Sequence, residues 1–483
     1  MFNFTPQDIK QIENHGLTVD TVNRQLNDFK TGFPFADIVA PANLTRGIVD
    51  ADARADEYRD IYNQHRNEYK IVKFVPASGA ATRMFKDLFS FLESGTMNAT
   101  TQTVLDNLEK FAFYDDLVQY LPANPTNRDI IECLITERGL NYGALPKALL
   151  KFHKYSNETR TALAEHLIEG AHYATTNQSV TVHFTVSPEH MDGFQNLLMT
   201  LIPEYEQKFG IKYNISMSTQ KPETDTIAVE LDNTPFRNSD GTLLFRPAGH
   251  GALIENLNDI DADIIFIKNI DNVCPDCARA DTIKYKEVLA GILLENQRRI
   301  FDMLNTLDYD TDTNKLSQIR DYISNTLNIS LPTNAPLDMI RNILNRPLRV
   351  CGMIKNTGAP GGGPFVVRAQ DGTTSPQIVE PGQIAPEQQD ILKQGEYFSP
   401  ADLVCGVRDW HGNKFNLTQY IDHNTGFISE KSKNGRPLRA MERPGLWNGA
   451  MAKWNTIFVK TLGTTFTPAK VVTDLIKPEH TEK

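Results

Sequence analysis

The sequence predicts an α/β protein built on a mixed, mainly parallel β-sheet. A short apolar run rich in β-branched residues is followed three times by a tight loop and a helical pattern. The three pairs are 71–75 with a helix to Glu93, 180–187 with a helix over 188–210, and 263–270 with a helix over 281–307. Strands that alternate with helices usually pair in parallel, so this order favours one sheet covered on both faces. At 483 residues the chain also exceeds the size of one hydrophobic core, and two or three structural units are expected.

Charge and composition exclude several classes of protein. Acidic residues outnumber basic ones, 60 against 49, and the net charge of −11 disfavours binding to nucleic acid. The start of the sequence has no basic region followed by an apolar stretch, and no apolar string is long enough to cross a membrane. The five cysteines are an odd number spread over the chain, which suits a reducing compartment. We therefore expect a cytoplasmic protein with no membrane partner.

The first candidate site is the loop that follows the strand at 71–75. Ligands of open α/β sheets bind beyond the carboxyl ends of the strands, so residues directly after a strand are informative. Small residues there let backbone N–H groups approach a phosphate closely, and an arginine adds a planar charged group. The residues with this pattern are Ser78, Gly79, Ala80, Thr82 and Arg83. An ordinary tight turn between strand and helix is the alternative interpretation.

Two further candidates follow later strands. In the segment 246–251 the residues Gly249 and Gly251 leave room for a flat ligand against the backbone, beside Pro247 and His250. After the apolar strand at 263–267, Asp271 places a carboxylate at the strand end, where Mg²⁺ could bridge it to phosphate oxygens. An Asp/Asn turn is the alternative there.

Taken in this order, the three motifs resemble the UDP-sugar pyrophosphorylase family, the uridylyltransferases for glucose 1-phosphate and N-acetylglucosamine 1-phosphate. That family has a glycine-rich loop after its first strand, a Pro-x-Gly-His/Asn-Gly segment at the nucleotide, and an Asp-Asn pair whose Asp holds the metal. Residues 377–380 resemble the family strand whose Glu contacts the sugar, and 465–470 resemble Thr-Phe-x-Pro-Val-Lys, whose Lys contacts phosphate. The resemblance runs from about residue 66 to 476 and is closest to an uncharacterised bacterial family related to these enzymes.

The resemblance implies a nucleotide-diphospho-sugar transferase-like, Rossmann-like fold with a helical N-terminal region and a helical insertion. It implies transfer of a nucleoside monophosphate from an NTP, with UTP as the first choice, to a sugar 1-phosphate with Mg²⁺ and release of pyrophosphate. Arg83 and Lys470 are then the catalytic residues, and Asp271 is the metal ligand. The implied nucleotide-binding residues are Ser78, Gly79, Ala80, Thr82, Pro247, Gly249, His250 and Gly251. Glu380 and Asn448 are the implied sugar-binding residues.

Five segments follow from the same reasoning. They are a helical N-terminal region (1–65), a nucleotide-binding α/β core (66–274), a helical insertion (275–346), the remainder of the core with the sugar-binding strands (347–440), and a C-terminal segment that returns to the phosphate site (441–483). In the last segment we expect Pro468 to fix a turn after a strand ending near Phe466, which would aim Lys470 at the phosphates.

The first loop departs from the family pattern, because it lacks the Pro-Lys that follows several residues later in those enzymes. That lysine meets the triphosphate and the sugar phosphate, and Arg83, Lys86 or Lys73 would have to substitute for it here.

Three alternatives remain open. A nucleotide-sugar-binding protein without turnover would explain the missing Pro-Lys. A glycosyltransferase or phosphotransferase on the same fold is the second. The third is a thiol oxidoreductase that uses Cys274 and Cys277, which form a Cys-x-x-Cys motif between a strand and a helix.

Overall fold

The computed structural model describes residues 2–309, 312–358 and 361–482. In this part of the chain the helices and strands alternate over most of the length, which confirms the predicted α/β class. The α-helices are α1 (Pro6–Asn14), α2 (Val19–Thr31), α3 (Ala55–His65), α4 (Lys86–Ser94), α5 (Ala99–Asp106), α6 (Tyr114–Leu117), α7 (Asn127–Ile135), α8 (Ala162–Tyr173), α9 (Met191–Phe209), α10 (Leu253–Asp259), α11 (Arg279–Tyr309), α12 (Thr313–Asn325), α13 (Leu337–Leu344) and α14 (Asp390–Lys393). The β-strands are β1 (Ile38–Pro41), β2 (Ile48–Val49), β3 (Ile71–Pro76), β4 (Lys151–Lys154), β5 (Thr159–Thr161), β6 (Thr175–Thr176), β7 (Ser179–Thr185), β8 (Lys212–Ser218), β9 (Thr226–Ile227), β10 (Phe245–Arg246), β11 (Ile264–Ile267), β12 (Leu348–Lys355), β13 (Gly363–Arg368), β14 (Thr374–Val379), β15 (Tyr397–Phe398), β16 (Leu403–Gly406), β17 (Phe427–Lys433), β18 (Arg436–Glu442) and β19 (Asn455–Lys460).

The chain forms two compact units, each assembled from three stretches. The first unit comprises Met1–Ala53, Gln220–Asp263 and Ile292–Lys460. The second unit comprises Arg54–Thr219, Ile264–Gly291 and Thr461–Lys483. The five segments predicted from the sequence divide the chain by its local pattern, and their boundaries stay a prediction.

The second unit contains the parallel sheet predicted from the three strand–loop–helix repeats. Strand β3 pairs in parallel with β11 on one side and with β7 on the other, and β7 pairs in parallel with β8. Val72, Val182 and Ile265 therefore lie on strands of one sheet, as the sequence pattern indicated. All four residues of β11 are buried, which explains why this strand has a continuous apolar sequence rather than an alternating one.

Helix α8 runs through the interior of the second unit. Thr161 caps its first turn by accepting a hydrogen bond from the backbone N–H of Ala164. Ten of its twelve residues are buried. The buried set includes the polar residues Glu165, His166 and Glu169, so this helix brings charge into the interior of the unit.

The first unit contains a mixed sheet in which β19 pairs in parallel with β2 and β12, whereas β12 pairs antiparallel with β16. A separate antiparallel sheet consists of β1, β13 and β14. The stretch 275–346, predicted as a helical insertion, contains α11, α12 and α13, and residues 310 and 311 within it lie outside the described residues. The first 65 residues hold α1 to α3 together with the short strands β1 and β2.

The last strand ends earlier than the sequence pattern indicated. We expected a strand ending near Phe466, but β19 ends at Lys460 and is followed by a 3-10 turn over Gly463–Thr465. The segment that carries Lys470 is therefore a loop, held by backbone contacts described below. A search of the described residues finds no helix long and apolar enough to cross a membrane.

Candidate functional site

The first predicted loop leaves the carboxyl end of β3 and is open to solvent. Gly79, Ala80, Thr82 and Arg83 are exposed, and Ser78 is half-buried. The loop leads into a 3-10 turn at Ala81–Arg83, and helix α4 begins only at Lys86. No atom outside the neighbouring residues lies within 4 Å of the place that a Cβ of Gly79 would take. The backbone of this loop is thus accessible to a ligand.

A second segment, Leu145 to Lys147, lies directly against this loop. The backbone N–H of Ala81 donates to the carbonyl of Leu145 at 3.0 Å, and Ala80 and Pro146 form an antiparallel bridge. The N–H of Lys147 donates to the carbonyl of Gly79 at 3.4 Å. The structure therefore places a Pro-Lys dipeptide beside the loop, although more than sixty residues of chain separate the two in sequence.

Lys147 connects this loop to Asp271, which follows β11. Its ammonium donates to Oδ2 of Asp271 at 2.9 Å and to the carbonyl of Ala469 at 2.7 Å. The side chain of Lys147 is only 14% exposed, and that of Asp271 is 11% exposed. Sequence reasoning missed Lys147, and the signal that could have found it is the Pro-Lys dipeptide itself.

The structure also brings Lys470 to Asp271. The ammonium of Lys470 lies 3.2 Å from the same Oδ2, but its side chain is 59% exposed and so remains accessible to a ligand. Its position is fixed from the backbone, since its N–H donates to Oδ2 of Asp474 at 2.7 Å. Two ammonium groups from distant parts of the chain thus meet one carboxylate at the carboxyl end of a parallel strand.

Backbone contacts hold the Lys470 loop beside Asp271. The N–H of Ala469 donates to the carbonyl of Asp271 at 3.0 Å, and Asn272 bridges Pro468. The side-chain carbonyl of Asn272 accepts from the N–H of Thr467 at 2.9 Å. The Asp-Asn pair and the terminal motif are therefore two parts of one local structure.

Asp271 is ionised in this arrangement. Burial alone would raise its pKa, but the charges of Lys147 and Lys470 and their hydrogen bonds outweigh burial and lower the pKa below its ordinary value. A network deeper in the unit supports the strand end, because Nε2 of His166 lies 3.2 Å from the carbonyls of Asn269 and Ile270 and donates to them.

The lowered pKa predicts how Asp271 contributes to stability as the pH changes. Its stabilising contribution is complete above the unfolded value of about 3.9 and is lost as the pH falls through the lower folded value. We expect the difference in free energy of unfolding between the native chain and Asp271→Asn to shrink as the pH falls below about 4. Urea unfolding at several pH values measures it, and a difference that stays constant or grows on acidification would contradict the assignment.

A charged cluster, which we call the Glu169 cluster, lies beneath β3 and β11. It consists of Glu169, Lys73 and Lys268, all fully or almost fully buried, with Lys73 3.1 Å and Lys268 2.8 Å from the two oxygens of Glu169. Burial lowers the pKa of Lys73 to about 7, although Glu169 opposes that shift. Lys73 was one proposed substitute for the missing lysine of the first loop, and its complete burial excludes that role.

The first unit holds the second predicted nucleotide segment, at 247–251, together with the residues predicted to bind sugar. The ring of His250 stacks on Trp447 with 4.4 Å between ring centroids, and its Nε2 lies 3.7 Å from Oε1 of Glu380. Nδ1 of His250 accepts the N–H of Leu446 at 3.0 Å, so the proton of the neutral ring is on Nε2. His250 thus presents a donor towards Glu380.

The two glycines of this segment are required by close contacts. A Cβ on Gly251 would lie 2.1 Å from the carbonyl oxygen of Pro444, and a Cβ on Gly249 would lie 2.4 Å from Oε2 of Glu442. Gly249 also has a φ of 74°, a conformation that favours glycine. Packing thus explains both glycines without a ligand, and their predicted role in seating a base stays a prediction.

Pro247 and Asn448 differ in accessibility. Pro247 is exposed, whereas Asn448 is 2% exposed and donates through Nδ2 to the carbonyl of Ile378 at 3.1 Å. Its Oδ1 is buried without a hydrogen-bond partner among the described residues. Asn448 therefore connects the segment after β18 to the strand that precedes Glu380, and its predicted contact with a sugar stays a prediction.

The thiols do not resemble a redox pair. Cys274 and Cys277 are both free, Cys274 is buried and Cys277 is exposed. Burial raises the pKa of the Cys274 thiol, which opposes the thiolate that such chemistry needs. This arrangement disfavours a thiol oxidoreductase.

The residues fit a cation that is shared with a ligand. No group of three or more His, Cys, Asp or Glu side chains suited to a metal occurs in the described residues. The ammonium groups of Lys147 and Lys470 both donate to Oδ2 of Asp271, and no described residue donates to its Oδ1. Mg²⁺ is commonly held by one or two carboxylates together with substrate phosphates, and one free carboxylate oxygen matches that pattern.

Comparison with solved structures identifies similar folds. The crystal structure of UDP-N-acetylglucosamine pyrophosphorylase from Trypanosoma brucei aligns with a TM-score of 0.51 at 10% identity, over 98% of this chain and 79% of that one. UDP-glucose pyrophosphorylase from Leishmania major aligns with a TM-score of 0.45 at 11% identity, over 97% of this chain and 77% of that one. The first of these shows that the chain has the nucleotidyltransferase-like fold predicted from its motifs.

The sequence matches a family model over nearly its whole length. No curated protein matches the chain. The model of the family described as a domain of unknown function, DUF4301, matches residues 5–481, which is nearly the whole sequence. The chain therefore belongs to the DUF4301 family.

Proposed function

We propose that this protein is a Mg²⁺-dependent nucleotidyltransferase that joins a nucleoside monophosphate from an NTP, UTP in the first instance, to a sugar 1-phosphate. The observation that supports it is the meeting of Lys147 and Lys470 at Asp271, beside the open loop after β3. The similar solved structure from Trypanosoma brucei is a UDP-N-acetylglucosamine pyrophosphorylase, which agrees with this choice of reaction.

In the proposed reaction an oxygen of the sugar phosphate attacks the α-phosphorus of the NTP. A new P–O bond forms as the bond from the α-phosphorus to the bridging oxygen breaks, and pyrophosphate leaves. The reaction needs no protein nucleophile, because the attacking phosphate oxygen is already anionic. The protein contributes positioning and stabilisation of negative charge.

The second unit carries the groups suited to phosphate. Lys147 and Lys470 supply two ammonium charges, and Lys147 takes the place of the lysine that the Pro-Lys of the pyrophosphorylases provides. Arg83 is exposed and makes no hydrogen bond or ion pair with another described residue, so its guanidinium is available to a phosphate. Mg²⁺, held by Asp271 and phosphate oxygens, would neutralise charge that develops on those oxygens.

Ser78, Gly79, Ala80 and Thr82 on the open loop of the second unit would contact the nucleotide. The first unit carries the other residues proposed for the nucleotide and those proposed for the sugar. The backbone around Gly249 and Gly251 would contact the nucleotide. The Nε2–H of His250 and the carboxylate of Glu380 lie 3.7 Å apart and would hydrogen-bond to ligand hydroxyl groups. Asn448 would assist by holding this segment.

Pyrophosphate release tests the proposal. The purified chain should release pyrophosphate only when Mg²⁺, an NTP and a sugar 1-phosphate are all present, and UTP should be the best of the four common NTPs. Asp271→Asn should abolish the Mg²⁺-dependent release, because it removes the carboxylate charge that would hold the cation.

A non-catalytic binding protein gives a different result. Nucleotide sugars would then raise the unfolding temperature, as a ligand of the native state does, while no pair of substrates released pyrophosphate. Undiminished Mg²⁺-dependent turnover by Asp271→Asn would also contradict the proposed role of that residue.

A further inference from the structure

The first unit contains a cavity of about 780 Å³ that shares only Asn448 with the residues of the proposed reaction. The turn over residues 32–37, the ends of β13 and β14, and the segment 422–428 border it. Its volume lies in the range of pockets that enclose a small organic ligand.

One arginine in this cavity has no anionic partner. Arg346 is half-buried, and its only hydrogen bond within the described chain runs from Nε to the carbonyl of Asn342, one turn earlier, at 3.2 Å. Burial lowers its pKa, with Asp371 and Tyr420 opposing, yet neither approaches within ion-pair distance of the guanidinium. The two terminal nitrogens of Arg346 are thus available to a ligand.

Two other arginines of the first unit show the carboxylate pairing that Arg346 lacks. Arg237 holds both oxygens of Asp8 at 2.8 Å. Arg408 holds Asp261 and Asp263 at 2.5 Å. A partly buried guanidinium without such a partner is costly unless an anion satisfies it.

A second cation and aromatic rings border the same cavity. Lys453 is exposed, and its ammonium makes no hydrogen bond or ion pair with the described residues. Its backbone N–H donates to the carbonyl of Tyr420 at 3.2 Å. Phe33 and Phe427 add half-buried apolar surface.

The carboxylates around the cavity are already engaged. Oδ1 of Asp371 accepts from the N–H and hydroxyl of Thr373, and Oδ1 of Asp422 accepts from the N–H and side-chain amide of Asn424. The lining carries four cationic side chains and three carboxylates, so its net formal charge is +1; they are Arg346, Arg368, Arg439 and Lys453 against Asp37, Asp371 and Asp422.

We propose that this cavity binds a small sugar-like molecule bearing one acidic group, with Arg346 forming a paired hydrogen bond to that group. A carboxylate and a phosphate both present the two coplanar oxygens that a guanidinium matches. Hydroxyl groups of the ligand would donate to Oε1 of Gln377, which accepts from no described residue. The Nε2 of the same side chain already donates to Oγ of Ser375 and to the carbonyl of Ala452. None of the residues proposed to contact phosphate or Mg²⁺ borders this cavity.

Titration calorimetry at low salt tests the cavity with four probes: glucuronate, glucose 6-phosphate, glucose and inorganic phosphate. The two acidic sugars should bind, glucose should bind at least tenfold more weakly, and phosphate alone should bind more weakly than glucose 6-phosphate. Comparison of glucuronate with glucose 6-phosphate shows which acidic group is preferred.

Arg346→Gln should weaken binding of the preferred acidic sugar at least tenfold, and Arg346→Lys should restore part of it. Arg368→Gln is the matched control, because Arg368 borders the same cavity but is half-exposed and pairs with Asp37 at 3.4 Å. It should change binding by less than about threefold. Thermal unfolding of each variant checks that it is folded.

The proposal is overturned if glucose and glucuronate bind equally, if Arg346→Lys and Arg346→Gln both bind as the native chain does, or if no probe binds up to roughly 10 mM. None of these results depends on turnover, so they are distinct from a failure of the proposed transfer reaction.

Discussion

Replacing Lys147 by methionine should lower kcat/KM for pyrophosphate release about 100-fold to 1,000-fold, the range expected when one preorganised donor to a developing charge is lost. The change keeps most of the side-chain length but removes the ammonium that contacts Asp271 and the carbonyl of Ala469. Initial rates at varied NTP and sugar 1-phosphate concentrations, with urea unfolding of the same samples, separate lost catalysis from lost folding.

Lys86→Met is the control for this prediction. Lys86 begins α4 directly after the same loop and is exposed, and its ammonium contacts no described residue. Its replacement should change kcat/KM by less than about threefold, as expected for a solvated surface lysine. If Lys86→Met were the damaging change and Lys147→Met harmless, the substitute for the family lysine would be Lys86.

Replacing Glu169 by glutamine should lower the free energy of unfolding by about 3–5 kcal/mol at pH 7, because it removes the carboxylate that pairs with two buried lysines. Glu169 is fully buried between Lys73 and Lys268, and the hydroxyl of Tyr173 donates to it at 3.4 Å. Burial opposes its ionised form, but the two lysines outweigh burial and hold the pKa of Glu169 well below its usual range. Urea unfolding monitored by circular dichroism measures the loss.

Two further variants make this prediction specific. Glu189→Gln, at a side chain that is 67% exposed in the same unit, should change stability by no more than about 0.5 kcal/mol. Lys73→Met combined with Glu169→Gln should be more stable than Glu169→Gln alone, because one unpaired ammonium is removed. Equal losses in the two Glu→Gln variants would show that the Glu169 cluster carries no special stabilisation.

The strands of the second unit could be predicted because their sequence pattern is local. The apolar run of β3 is followed by a turn and a helical periodicity, and β7 and β11 repeat this order. The end of β19 could not be predicted in the same way. Phe466 and Thr467 have a strand-like sequence, but Thr467 hydrogen-bonds to the side chain of Asn272 instead of continuing the sheet.

A residue of the candidate site could be predicted where a suitable side chain directly follows a strand. Asp271 directly follows a buried strand, so its place at the sheet edge follows from the order of elements. Lys147 could not be placed by such reasoning, because its contact with the loop depends on pairing between Ala80 and Pro146 across a long connection. Lys73 was named from the sequence as a possible ligand contact, but it is buried. A lysine inside an apolar strand is better explained by an internal partner such as Glu169 than by a ligand.

The second unit is built from three stretches that are distant in sequence, so it cannot fold completely until the last of them has been synthesised. Lys147 donates to the carbonyl of Ala469, a residue 322 positions later, so this contact forms only after the ribosome has passed that point. Until then the 54–219 stretch lacks β11, which arrives at residue 264, and the loop that carries Lys470. Closing such long loops is slow, and the exposed edge of β3 offers unpaired backbone groups to other chains in the meantime. Nascent chains of this protein should therefore depend on chaperones more strongly than a chain whose units fold one after the other.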